Sequence, residues 1–224
     1  MTRRVPVQRR SRERVDQILA ASAELLAEGG VDALTTRSLS ERTGIPIATI
    51  YRYFDNRDEI ISAYLDHELE GIEKSVTVAV LALERVTFRS MVRAIALAYM
   101  RHYQAHPESV PVWFGGRLNA AVVDRVRVLE QHLAASLRSA VEGLGMTERG
   151  PDFIADLLVR LFDRCFEFVF LAERTAEEQK EIVLTFVDIV ATYIERYVTP
   201  AGLEGISAEE FVRTLEEHPV VPKS

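Results

Sequence analysis

Apolar residues recur at three- and four-residue steps along almost the whole of this chain. That spacing follows the 3.6-residue turn of an α-helix, and no segment shows the every-second-residue alternation of a half-buried strand. Eight prolines and eleven glycines in 224 residues leave little room for the many turns of a sandwich or barrel. The fold class expected is therefore all-α. With 48% hydrophobic and 27% charged residues, the composition is that of a soluble globular protein long enough for one or two domains.

The periodicity predicts helices at about 12–28, 37–43 and 47–54, and a longer one after Asp55-Asn56 carrying Ile60, Ile61, Tyr64, Leu65 and Leu69. Further helices are expected at 72–83, 88–104, 119–143, 151–173 and 176–197, with a weak one at 208–217. Gly29-Gly30 and Gly44 stop helices because glycine takes the left-handed cap conformation readily. Thr35 and Thr36 can cap the second helix by accepting from free backbone N–H groups. Pro46 suits the first turn of the third, where an N–H would be unpaired in any case.

No apolar run approaches the roughly 18 residues needed to cross a bilayer. The arginine-rich start has no apolar stretch behind it, which argues against a secretory signal. The single cysteine, Cys165, excludes an internal disulfide framework and fits a cytoplasmic protein. Net charge is −7, yet residues 1–57 carry a local +3 and the remainder −10. Six arginines stand in the first fourteen residues: Arg3, Arg4, Arg9, Arg10, Arg12 and Arg14. A basic head on an acidic body fits either a nucleic-acid contact confined to the head or a solvated tail.

Residues 34–54 narrow the choice. Two helices of about two turns cannot hold themselves, so they must pack on the helix at 12–28. Leu39, Ile45, Ile50 and Phe54 are spaced to face it. The other face of the third helix carries Ile47, Ala48, Thr49, Tyr51, Arg52 and Tyr53, a set of small, hydroxyl, aromatic and guanidinium groups suited to a DNA major groove. A small helical subdomain with Tyr51 and Tyr53 half-buried would show the same pattern.

The stretch Leu34-Thr35-Thr36-Arg37-Ser38-Leu39, then Gly44, then Thr49-Ile50-Tyr51-Arg52-Tyr53-Phe54-Asp55-Asn56-Arg57 resembles the DNA-binding head of the tetracycline-repressor (TetR) family over about residues 11–65. The resemblance implies that Thr35 and Thr36 begin the second helix and contact phosphate, and that Arg37 reaches backbone or base. It implies phosphate grips from Thr49 and Tyr51, and variable base or backbone contacts from Arg52 and Tyr53. Arg57 stands where the family usually has a phosphate-contacting lysine. Two positions depart from the pattern: Pro46, often serine or threonine, and Ile47, often polar. The expected organisation is a basic arm at 1–10, a helix-turn-helix domain at 11–60 continuous with a ligand-binding and dimerisation domain at 61–198, and a tail at 199–224.

In the body, the apolar arcs of the helices at 151–173 and 176–197 are wider than a single packed face needs. The surplus suggests a subunit interface through Phe153, Leu157, Leu161, Phe168, Phe186, Ile189 and Tyr193, although burial within one chain would also explain it. Dimerisation here is also what the resemblance implies. Tyr99, His102, Tyr103, Trp113, Phe114 and Arg117, faced by Phe162 and Phe166, are the candidates for a small-molecule pocket, with an ordinary aromatic core as the alternative.

His102 and His106 share a helical spacing but have no evident third ligand, so no metal is expected. Asp163 and Glu167, flanked by Arg160 and Arg164, read as a solvated strip. No catalytic motif, cofactor or membrane association is expected. The sequence thus points to a dimeric, non-enzymatic transcription regulator bound to a near-palindromic duplex DNA operator and answering to a small-molecule inducer. An all-helical enzyme and a helical adaptor with a non-functional head are the rivals.

Overall fold

The structure, a computed structural model, describes residues 5–115 and 151–210, together with 123, 124, 126–128, 130, 131, 134, 137, 138 and 213. The helices are α1 (Val5–Ala33), α2 (Thr36–Thr43), α3 (Ile47–Ile50), α4 (Arg57–Leu81), α5 (Phe88–Ala105), α6 (Pro151–Phe170), α7 (Ala176–Ile194) and α8 (Pro200–Glu204). Short 3₁₀ turns occupy Pro107–Ser109 and Glu195–Tyr197, and Pro111–Gly115 forms one π-helical turn. The described positions within 123–138 are helical, and the rest of the helix expected at 119–143 lies outside the described residues. Among the described residues no strand forms, and the one extended pairing is an antiparallel bridge between Val86 and Ile206.

The chain divides into two compact units. One comprises Met1–Glu68 with His106–Arg125, the other Leu69–Ala105 with Val126–Ser224. The division falls inside α4, beyond the boundary expected at 60, and the segment after α5 joins the first unit.

In the first unit α1 supplies Ile18, Leu19, Leu25 and Leu26 to a core completed by Leu34, Leu39, Ile45, Ile50, Phe54, Ile60, Ile61 and Leu65. The helix starts at Val5 rather than near 12. Its first turns lack an apolar stripe, but arginine and glutamine are good helix formers and extend the register. Helical dihedrals fail where the glycines stand: Gly29 has φ −153° and Gly30 has φ 63°, ψ −158°. The latter region is essentially open to glycine alone. The turns at Pro107–Ser109 and Pro111–Gly115 lie against α1 and bury Val110, Val112, Trp113 and Phe114.

In the second unit α5 packs on α7 and α6. A stripe of Val183, Val187, Val190, Ala191 and Ile194 on α7 is buried, as are Met91, Val92, Ala96 and Ala98 on α5. The break expected between 69 and 72 does not occur, because α4 runs unbroken through Gly71 to Leu81. Gly71 serves packing: a Cβ there would lie 3.3 Å from Cε1 of His102. Arg89, at the start of α5, donates to Asp188 (2.9 Å), Thr192 (3.0 Å) and Glu195 (2.7 Å), tying α5 to the end of α7. Beyond α7 the chain returns as a strap. Val86 N–H donates to Ile206 O (2.9 Å) and Ile206 N–H to Val86 O (3.0 Å). Arg85 adds bonds from Nε to Glu204 O (2.7 Å) and from Nη2 to Gly205 O (2.9 Å). Thus 199–206, the start of the expected tail, is an anchored segment, and Val86–Ile206 pairing over that sequence distance leaves no local signal.

Candidate nucleic-acid interface

The second and third helices are set by their ends. Thr35 caps α2: its hydroxyl accepts from Ser38 N–H (3.0 Å) while Ser38 Oγ accepts from Thr35 N–H (2.9 Å). This reciprocal pair satisfies two backbone donors at once. At the other end Gly44 takes φ 69° and donates to Ser40 O (2.9 Å), the left-handed cap that a side chain would resist. Pro46 then opens α3 with no side-chain cap, its carbonyl accepting from Thr49 (2.7 Å) and Ile50 (3.1 Å). The α-helical part of α3 is shorter than the expected 47–54. It tightens after Ile50, where Arg52 N–H bonds Thr49 O (3.2 Å) and Tyr53 N–H bonds Ile50 O (2.9 Å). Such i→i+3 turns are usual where a helix ends.

This geometry sorts the side chains. Ile50 and Phe54 are buried. Ile47 (40% exposed), Ala48, Tyr51 (49%) and Arg52 face outward, while Thr49 and Tyr53 are half-buried. Arg52 donates from Nη2 to Tyr53 Oη (3.2 Å) and lies 5.2 Å from the ring centre. That hydrogen bond, with one from Ser11, lowers the Tyr53 phenol below its ordinary pKa. Arg37 is exposed and pairs with Glu41 one turn along (3.0 Å). Thr36 is half-buried in the first turn of α2. Arg57 begins α4, whose start is capped by Asn56 Oδ1 accepting from Glu59 N–H (2.9 Å) and by Glu59 accepting from Asp55 N–H (2.6 Å).

A brace that the sequence reading missed fixes α2 on α1. Arg42 donates from Nη1 to Glu24 (2.8 Å) and from Nη2 to Glu28 (2.7 Å), and Gln17 Nε2 donates to Thr43 O (3.1 Å). The two carboxylates raise the Arg42 pKa further, so the fork stays charged. Its trace in sequence is the four-residue spacing of Glu24 and Glu28 on one helix face.

The candidates in the body are not all brought together. In the second unit Tyr99, Tyr103 and Phe166 form one aromatic cluster, with Tyr99 stacked on Phe166 (5.8 Å) and Tyr103 edge-on to it (5.8 Å). Phe162 joins through Phe166 and Phe186, and His102 meets Tyr103 edge-on. Trp113 and Phe114 belong to the first unit, and Arg117 lies outside the described residues. Cys165 is buried, and desolvation pushes its thiol up to about 11. His106 faces Glu108 at 3.2 Å, and among the described residues no three potential ligands cluster for a metal.

Several apolar side chains on α6 and α7 remain exposed: Phe153, Leu161, Phe168 (59%), Ile189 (66%) and Tyr193. Leu157 and Phe186 are half-buried. Arg174 lies over the Phe168 ring at 4.2 Å and donates to the last carbonyls of α6. Among the described residues no helix is long and apolar enough to cross a membrane.

Two short helices about a left-handed glycine turn, packed on a third and joined to a helical body, define a helix-turn-helix protein. Residues 18–64 match the family model for bacterial regulatory proteins of the tetR family. Over that head segment the chain is similar to the TetR family. It is 34% identical over 71 residues to the HTH-type transcriptional repressor KstR of Mycolicibacterium smegmatis, covering 32% of this chain and 35% of that protein. It therefore spans about a third of the curated relatives it matches first. Its fold is similar to a TetR-family regulator from Syntrophomonas wolfei, with TM-score 0.69, 19% identity, and coverage of 81% and 96% of the two chains. It is also similar to the transcriptional regulator FadR of Bacillus subtilis in complex with stearoyl-CoA, with TM-score 0.60, 15% identity, and coverage of 82% and 98%.

Proposed function

We propose that this chain is a cytoplasmic DNA-binding transcription regulator, a dimeric repressor that a small molecule releases from a near-palindromic operator. The outward face of α3 carries the reading. Ile50 and Phe54 anchor the segment, leaving Ile47, Ala48, Tyr51 and Arg52 to meet the groove. Arg52, steadied by Tyr53, bonds a base edge or phosphate, and Tyr51 and Thr49 bond phosphate oxygens. Ile47 and Ala48 offer apolar contact to a thymine methyl. Thr36, Arg37 and Arg57 act at helix starts, where free backbone N–H groups favour an anion. The Thr35 hydroxyl is engaged in the cap, so Thr35 contributes by shaping the start of α2.

Two heads read two half-sites about 34–36 Å apart, or a multiple of that, only if they are held by a two-fold pair. The exposed Phe153, Leu161, Phe168, Ile189 and Tyr193 on α6 and α7 supply the surface for it, with Leu157 and Phe186 at its margin. The aromatic cluster of Tyr99, His102, Tyr103, Phe162 and Phe166 and the ligand in the FadR complex support response to a small molecule. Such a ligand shifts DNA binding only as far as it prefers one conformation over the other.

The test is selection of the purified protein against random duplex DNA, with the affinity of the winners measured across a salt series. A palindrome bound with a steep salt slope is expected. No enriched sequence at low salt overturns the reading.

A further inference from the structure

Arg10 and Arg14 stand four residues apart in the first turns of α1, so their side chains leave the same side of the helix. Both are exposed. Arg12 is two residues from each and therefore lies on the opposite side, where Asp16 follows it by four. Arg12 and Asp16 are exposed as well. Since the helix is continuous from Val5, these arginines hold fixed positions, as a solvated tail would not.

Two ties hold the Arg10–Arg14 side against the helix-turn-helix. Arg14 Nη1 donates to Gln17 Oε1 (3.2 Å), and Gln17 Nε2 donates to Thr43 O at the end of α2 (3.1 Å). Ser11 hydrogen-bonds the Tyr53 hydroxyl, to which Arg52 Nη2 also donates (3.2 Å). Arg14 lies close enough to that phenol for its charge to act there. One tyrosine thus gathers a guanidinium from α1 and another from the outward face of α3. Like charges brought together on a surface repel, and an anion beside them removes that cost. The rise of a helix sets Arg10 and Arg14 about 6 Å apart along its axis, so two long side chains can meet neighbouring phosphates of one strand. The guanidinium fork matches phosphate oxygens in geometry as well as charge.

We infer that Arg10 and Arg14 form a phosphate-gripping row on α1 that continues the duplex-DNA surface of α3 beyond Arg52, with Ser11, Gln17 and Tyr53 as the positioning residues. The inference rests on the DNA-binding reading above and adds to it a helix that the outward face of α3 does not include. It also divides the basic start of the chain by side: Arg10 and Arg14 touch DNA, and Arg12 does not.

The test uses the full-length protein and the operator obtained by selection, with affinity measured over a salt series. Each lost phosphate contact lowers the salt slope by about 0.9, so Arg10→Gln with Arg14→Gln should lower it by about two and weaken binding about thirtyfold at about 0.15 M salt. Arg10→Gln alone should lower the slope by about one and weaken binding about fivefold. Arg10 has no partner among the described residues, so this variant keeps the fold even if Arg14→Gln disturbs it. Arg12→Gln removes the same charge from the other side, and its slope and affinity should stay within about twofold of the parent. Ethylation interference should find operator phosphates that block the parent but not the double variant. A parent slope in Arg10→Gln overturns the inference, as do equal losses from Arg10→Gln and Arg12→Gln, which mark a diffuse charge effect. An operator bound with the parent slope by both Arg10→Gln and the double variant sinks this inference and leaves the regulator reading standing. Failure to select any operator sinks both.

Discussion

Gly205→Ala tests the strap that closes the second unit. Gly205 has φ 80°, and a Cβ there would sit 2.4 Å from Val86 O and 2.8 Å from Val86 C. The obstructing atoms are backbone, so no side-chain rotation relieves the clash. The left-handed conformation alone costs an alanine about 1–2 kcal/mol. The cheaper response is for residues 204–206 to leave, which breaks the two Val86–Ile206 bonds and the two from Arg85, at about 0.5–1.5 kcal/mol each. Local opening should then ease by about 3 kcal/mol, roughly a hundredfold in amide exchange at Val86 and Ile206. Gly44→Ala is the control, because Gly44 has φ 69° but nothing within 4 Å of its Cβ position. It should lose only about 1–2 kcal/mol, without detaching a segment. Hydrogen exchange resolved to single amides reads both. Exchange at Val86 and Ile206 within twofold of the parent in Gly205→Ala would refute the reasoning.

Four further outcomes are expected. Tyr51→Phe should weaken DNA binding about equally across sequences, whereas Arg52→Ala should also reduce the salt slope by about one, both read from titrations at several salt concentrations. Ile189→Glu, at a site 66% exposed, should convert dimer to monomer in sedimentation velocity with the helical circular dichroism unchanged. Leu39→Ala, at a fully buried site, should cost the first unit about 2–5 kcal/mol in urea denaturation. The Cys165 thiol is held neutral up to about 11 against an ordinary 9.0, so the folded state keeps a proton that the unfolded chain has lost between those values. Stability should therefore fall as pH rises through that window, and Cys165→Ala should flatten the alkaline limb.

What could be read in advance follows from the range of each interaction. The caps at Thr35 and Gly44 and the burial of Leu39, Ile45, Ile50 and Phe54 rest on neighbours a few residues away, and the structure has them where local chemistry puts them. The helix expected at 72–83 is the continuation of α4, which runs through Gly71 because His102 packs close against that glycine. The start of α1 was hidden because periodicity of apolar residues gives no signal in an arginine-rich segment. Trp113 and Phe114 are close in sequence to Tyr103, yet Pro107 opens a turn that carries them into the other unit. Tyr64 is buried in the stripe with Ile60, Ile61 and Leu65, as the helical spacing places it. The Val86–Ile206 bridge spans too many residues for any local pattern.

Nature has also left this chain instrumented. Its one tryptophan, Trp113, and its one cysteine, Cys165, are both buried, and each belongs to a different compact unit. Indole emission therefore reports the melting of one unit, and the rate of thiol alkylation reports the opening of the other. The unaltered protein can show, without an added label, whether its two units come apart together or in turn.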